Sequence, residues 1–91
     1  MTAVSDYIDE HFSETLDKLV QWCSQPSIST EGVGVAAMAE LAAASLRESG
    51  FEVRLFQTAG YPVILAETGP AAAPTILIYN HYDVQPAGDL A

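Results

Sequence analysis

A histidine and an aspartate two residues apart, His81 and Asp83, are the side chains whose types and spacing best suit chemistry in this chain. They close the run Thr75-Ile76-Leu77-Ile78-Tyr79-Asn80-His81-Tyr82-Asp83-Val84-Gln85-Pro86. The apolar front of that run predicts a buried strand over Thr75 to Asn80. Side chains at i and i+2 of an extended segment point the same way, so His81 and Asp83 face one side if extension persists. A carboxylate beside an imidazole fixes the ring's tautomer and raises its basicity, the usual support of a metal-binding histidine. Ligands of open α/β sheets collect at the carboxyl ends of strands, where this pair would lie. Neutral imidazole suits zinc and related divalent metals. Two blander readings stay open on the residues alone. His81 could be a strand-end histidine bonded to a backbone carbonyl, and Asp83 an Asx-type turn residue ahead of Pro86.

The stretch IYNHYDVQP resembles the first metal-ligand motif of the di-zinc amidohydrolase and peptidase family. That family includes carnosinase-type dipeptidases, aminoacylases, acetylornithine deacetylase, succinyl-diaminopimelate desuccinylase and carboxypeptidase G. The HYDVQP form is most similar to the dipeptidase branch. Agreement in order and spacing extends upstream: an amphipathic helix, Gln25-Pro26-Ser27-Ile28-Ser29, a second helix, Ser49-Gly50-Phe51-Glu52-Val53, and Pro74-Thr75-Ile76-Leu77. The resemblance therefore covers nearly the whole chain, with Asn80 standing where many members have glycine.

The resemblance implies an α/β fold, the start of an α/β/α zinc-peptidase catalytic domain. Residues 1–91 would be its incomplete amino-terminal part, with the family's dimerisation domain absent. It implies hydrolysis of an amide bond in a dipeptide, short peptide or N-acyl amino acid. In the family two zinc ions, or other divalent metals, activate a bridging water while a glutamate moves the proton. His81 would be one metal ligand, and Asp83 the carboxylate of the catalytic site that orients an imidazole. The bridging carboxylate, the general-base glutamate and the other ligands lie beyond Ala91 in family members. A catalytic zinc takes about three protein ligands and a water, and here only His81 and, less well, Asp83 or Asp89 lie near the strand end. The isolated 91 residues are therefore expected to be inactive.

Composition excludes several classes. Three basic residues against twelve acidic ones give a net charge of −9. Nucleic-acid binding needs clustered Lys and Arg, so neither nucleic acid nor an anionic membrane is expected as a partner. The acidity reads as solubility. Apolar residues make up 49% of the chain, enough to bury a core, yet no window approaches a membrane span. No secretory signal is visible at the amino terminus. The single Cys23 fits a reducing compartment, and a cytoplasmic location is the default. Cys23 lies on an apolar stripe and reads as a core residue. Ser27, Ser29 and Thr30 read as loop and cap residues, His11 as solvent-facing, and Trp22 and Tyr61 as packing or partly exposed surface.

Several elements must position the pair. Ile8, Phe12, Leu16, Leu19, Val20 and Cys23 recur at helical spacing and predict one helix from about Val4 to Ser24. Pro26 opposes its continuation. A second, Ala-rich helix is expected from about Gly32 to Ser49, with an apolar face of Val35, Met38, Leu41, Ala42 and Leu46 and Gly50 as its cap. Strands follow over Phe51 to Gln57 and Val63 to Glu67, with Thr75 to Asn80 as the third. The expected fold is thus two amphipathic helices and then three strands. A strand apolar on both faces belongs inside a covered sheet, and two upstream helices supply too little cover. The chain is therefore expected to be the amino-terminal part of a longer α/β domain; a compact small domain with one helix on each face, or a non-catalytic module whose copies associate, stays open. A homo-oligomer is expected, since an uncovered apolar face or edge invites pairing.

Overall fold

The computed structural model describes residues 2–88 as three helices and one two-stranded sheet. Helix α1 spans Thr2–Glu10 and α2 spans Phe12–Ser24. The single helix expected there is divided at His11, whose φ of −105° and ψ of 12° leave the helical region. The backbone ladder still crosses the break, with His11 N donating to Tyr7 O at 3.0 Å and Thr15 N to His11 O at 2.9 Å. His11 also lies against the Tyr7 ring, 4.1 Å between centroids, and donates from Nδ1 to Glu14 at 3.0 Å. These contacts hold a bend that no Pro or Gly announces.

Helix α3 spans Val35–Glu48 and carries the core: Val35, Met38, Ala39, Ala42 and Ala43 are its buried residues. It begins three residues later than the composition suggests because Gly32 and Gly34 both hold left-handed φ values, +68° and +72°. It ends as expected. Gly50 has φ of +94°, its N–H bonds the Arg47 carbonyl, and Phe51 N–H bonds Leu46. That pair of bonds is the Schellman arrangement, which satisfies the last helical carbonyls. Strand β1, Glu52–Phe56, then pairs antiparallel with β2, Val63–Glu67, in the register Glu52 with Glu67 and Phe56 with Val63. Val53 and Leu55 alternate with exposed neighbours, and α3 packs on both strands. The small alanines of α3 let its axis approach the hairpin closely, while each buried Val or Met adds about 1.5–3 kcal/mol.

Two expectations fail. Thr75 to Asn80 is not a strand: β1 and β2 pair only with each other. Ile76, Leu77, Ile78 and Tyr79 are 87, 86, 76 and 85% exposed. β-propensity expresses fitness for a pleated surface, and pairing supplies the stabilisation. The downstream end of the segment is tied to the Ser27 loop, and among the described residues no strand pairs with the run. The second failure is the fate of the amino-terminal stripe. Ile8, Phe12, Leu16, Leu19, Val20 and Cys23 are all exposed, and Cys23 is not a core residue. Their helical periodicity is present without a covering layer.

Gly34 is the most tightly enclosed of the glycines. A Cβ there would lie 2.2 Å from the Pro26 carbonyl oxygen, whereas one on Gly50 would meet open space. Gly34→Ala is expected to lower stability by about 3 kcal/mol, through the left-handed φ and through the backbone clash. Gly50→Ala should lower it by about 1 kcal/mol, from φ alone. Urea midpoints at constant m test this. Equal midpoints for the two variants would mean that Gly34 is not seated under Pro26.

Candidate functional site

The site is a clamp between two distant segments. Gly32 and Gly34 turn the chain so that Ile28 and Val33 bond each other in both directions, Ile28 N to Val33 O at 2.9 Å and Val33 N to Ile28 O at 3.2 Å. The loop this closes grips residues 82–84. Buried Ser27 donates its hydroxyl to the Tyr82 carbonyl at 2.7 Å, and Val84 N–H donates to the Ser27 carbonyl at 2.8 Å. Ile28 and Val84 form a parallel bridge. Two phenols tie the clamp to the β1–β2 turn, one from each side. Tyr61 donates to the Ser29 carbonyl at 2.7 Å, and Tyr82 donates to the Pro62 carbonyl at 2.6 Å.

Inside this frame His81 and Asp83 meet, as their i, i+2 spacing suggests. His81 Nδ1 lies 3.1 Å from Asp83 Oδ1 and 3.0 Å from the Asp83 carbonyl oxygen. Both partners accept only, so Nδ1 carries the proton and donates to both. In the neutral ring the lone pair is then on Nε2, the nitrogen a metal would use. The backbone-carbonyl bond of the blander reading is present, and the carboxylate bond is present beside it. The His81 side chain is 72% exposed and that of Asp83 38%.

The second carboxylate oxygen is also engaged. Ser29 Oγ donates to Asp83 Oδ2 at 2.6 Å. First the Ser29 hydroxyl, and then the His81 ring and charge, hold the Asp83 carboxyl below the ordinary carboxylate range, against an opposing effect of desolvation. Next to it, the Tyr82 phenol is pushed up, by burial first and by the Asp83 charge second. A serine, an aspartate and a histidine thus stand in line, but in the wrong order for nucleophilic catalysis. Ser29 hydrogen-bonds the carboxylate and not the imidazole, so no histidine base is hydrogen-bonded to its hydroxyl.

Ser27 and Ser29 are more than the loop and cap residues expected from sequence. The signal available was their own i, i+2 spacing, which matches that of His81 and Asp83 across the clamp. Asp89 lies outside the described residues. His11 is occupied with Tyr7 and Glu14 on the α1–α2 bend, and Cys23 and Trp22 are on α2. Among the described residues, no group of three or more His, Cys, Asp or Glu side chains is gathered that could hold a metal ion. His81 and Asp83 fit one ligand position and its support. Nor is any helix among them long and apolar enough to cross a membrane. No protein-family model matches the chain, and no solved structure matches it.

Proposed function

We propose that this chain is the amino-terminal part of a longer, zinc-dependent amide hydrolase acting on dipeptides, short peptides or N-acyl amino acids. The observation that carries the reading is the commitment of His81 Nδ1 as donor to Asp83, which leaves Nε2 as the lone-pair nitrogen of an exposed ring. The resemblance of IYNHYDVQP to a first metal-ligand motif gives that nitrogen its role. When bound, the metals would polarise the scissile carbonyl and acidify a water. His81 would hold one of them. Asp83 keeps the ring in one tautomer and one orientation, and the clamp on residues 82–84 keeps Asp83 in place. The remaining ligands and the proton-moving glutamate belong to the continuation of the chain. A cytoplasmic location belongs to the same reading.

The test is made on the longer protein. Its reading frame should continue past Ala91 with an aspartate-bearing metal-bridging segment, a Glu-Glu pair and a distal histidine. The purified protein should carry about two zinc ions per active site and hydrolyse dipeptides or N-acyl amino acids, whereas the 91-residue chain should not. A longer protein that holds no divalent metal and cleaves no amide overturns the proposal.

A second reading, a non-catalytic α/β module that associates with its own copies, is favoured by a separate observation. The apolar run Ile76–Tyr79 and the apolar stripe of α1 and α2 are exposed together.

A further inference from the structure

Asp83 has two carboxylate oxygens with different partners, and the difference carries information. Oδ1 receives the His81 ring, whose Nδ1 is shared with the Asp83 backbone carbonyl at 3.0 Å, and Oδ2 receives the Ser29 hydroxyl at 2.6 Å. The χ2 torsion of aspartate is soft and nearly two-fold, so a carboxylate held at one oxygen only can still turn. With 38% of its side chain exposed, an untethered Asp83 would exchange His81 for water at little cost. Held at both oxygens, it cannot turn without breaking one bond.

Ser29 is itself unusually well held for a loop residue. Its carbonyl accepts from Gly32 N at 3.3 Å and from the Tyr61 phenol at 2.7 Å. The neighbouring Ser27 and Ile28 are joined to Tyr82 and Val84. The hydroxyl therefore approaches Asp83 from a backbone anchored on two sides. Among the described residues Ser29 makes no hydrogen bond with His81, and its hydrogen-bonded path to the ring runs through the carboxylate.

We infer that Ser29 is a positioning residue for His81: by fixing the rotation of the Asp83 carboxylate, its hydroxyl keeps the imidazole protonated on Nδ1 and aims Nε2 outward. The functional meaning of this rests on the reading of His81 as a metal ligand, but the hydrogen-bond chain exists in the metal-free protein and is tested there.

The chain contains two histidines. His11 lies outside the network, bonded to Glu14, and so serves as an internal reference. Long-range proton–nitrogen NMR of the 91-residue chain, at a pH where the rings are neutral, reads the tautomer of each. In the wild type His81 should be mainly the Nδ1–H form. Ser29→Ala should reduce that form severalfold while leaving the His11 signals unmoved, and Ser29→Thr, which keeps the hydroxyl, should restore it. A wild-type His81 that is mainly Nε2–H overturns the inference whether or not any variant folds. So does a folded Ser29→Ala chain with an unchanged His81 tautomer.

In the longer protein the same substitution should lower kcat about 10-fold with KM unchanged, as loss of a supporting partner does, and Ser29→Thr should recover it. A longer protein that proves free of metal and inactive would remove the hydrolase reading, while the tautomer result would stand.

Discussion

On the proposed reading, replacing His81 by alanine in a longer, zinc-loaded protein is expected to lower amide hydrolysis by more than about 100-fold, beyond the loss typical of a supporting partner. Zinc stoichiometry should fall with it. The His81 ring is largely exposed, and its hydrogen bonds among the described residues go only to Asp83. A surface substitution of this kind moves stability by about 0.5 kcal/mol or less. Loss of metal and turnover without loss of melting temperature is the signature of a ligand. A histidine that merely closes a turn would give the opposite pattern. Asp83→Ala should fall between, at about 10–100-fold in metal affinity, because the ring remains but keeps only the backbone carbonyl of residue 83 as its Nδ1 acceptor. Asp83→Asn should do less harm, since the amide oxygen can still accept from Nδ1. Metal content by elemental analysis, affinity by chelator competition and turnover on a dipeptide make up the measurement. Unchanged zinc and unchanged turnover in His81→Ala would sink the assignment of this residue.

What was legible in the sequence was what is local. Alanine content and Gly50 mark α3 and its end, and the alternation of Val53 and Leu55 with charged neighbours marks β1. The spacing of His81 and Asp83 correctly brings their side chains together. The failures concern what lies across the gap. Helical periodicity shows that Ile8, Phe12, Leu16 and Leu19 share a face, but not whether anything covers it. The apolar run Ile76–Tyr79 states a need for burial, and a strand exists only where a partner is beside it. The clamp was invisible for a related reason. Ser27 and Ser29 act on residues more than 50 positions away, and a serine in a Pro-containing loop looks the same with or without such a partner. The break at His11 likewise rests on contacts to Tyr7 and Glu14 that no breaker residue signals.

The 91-residue chain on its own is expected to sediment as a dimer or larger species at high micromolar concentration. Its accessible surface is 7430 Å². A compact monomer of 9.7 kDa exposes about 5,100 Å². The excess, about 2,300 Å² per chain, exceeds the roughly 800 Å² that each partner gives up in a standard interface. The radius of gyration agrees, 15.8 Å against about 12 Å for a compact chain of this length. Electrostatics locates the contact. A net charge of −9 opposes association in general, but residues 68–82 contain no Asp, Glu, Lys or Arg. Within that stretch Thr75 to Asn80 forms no backbone hydrogen bond among the described residues. Two such segments meeting edge to edge would satisfy each other's N–H and C=O groups and bury Ile76 to Tyr79 at the same time. Ile78→Asp sets like charges in that contact and adds a desolvation cost, and should weaken association by roughly 100-fold or more. Asp17→Asn, which lowers the charge of α2 away from the segment, should not weaken it. In the longer protein the outcome reverses. There the run would be covered from within, and Ile78→Asp should act as a buried-charge substitution that destabilises the fold by several kcal/mol while leaving the oligomeric state of the folded fraction unchanged. Sedimentation velocity across a concentration series decides the matter for the short chain. A strictly monomeric, folded wild type at the highest concentration would mean that this surface tolerates water in the short chain, and the self-association account would fail.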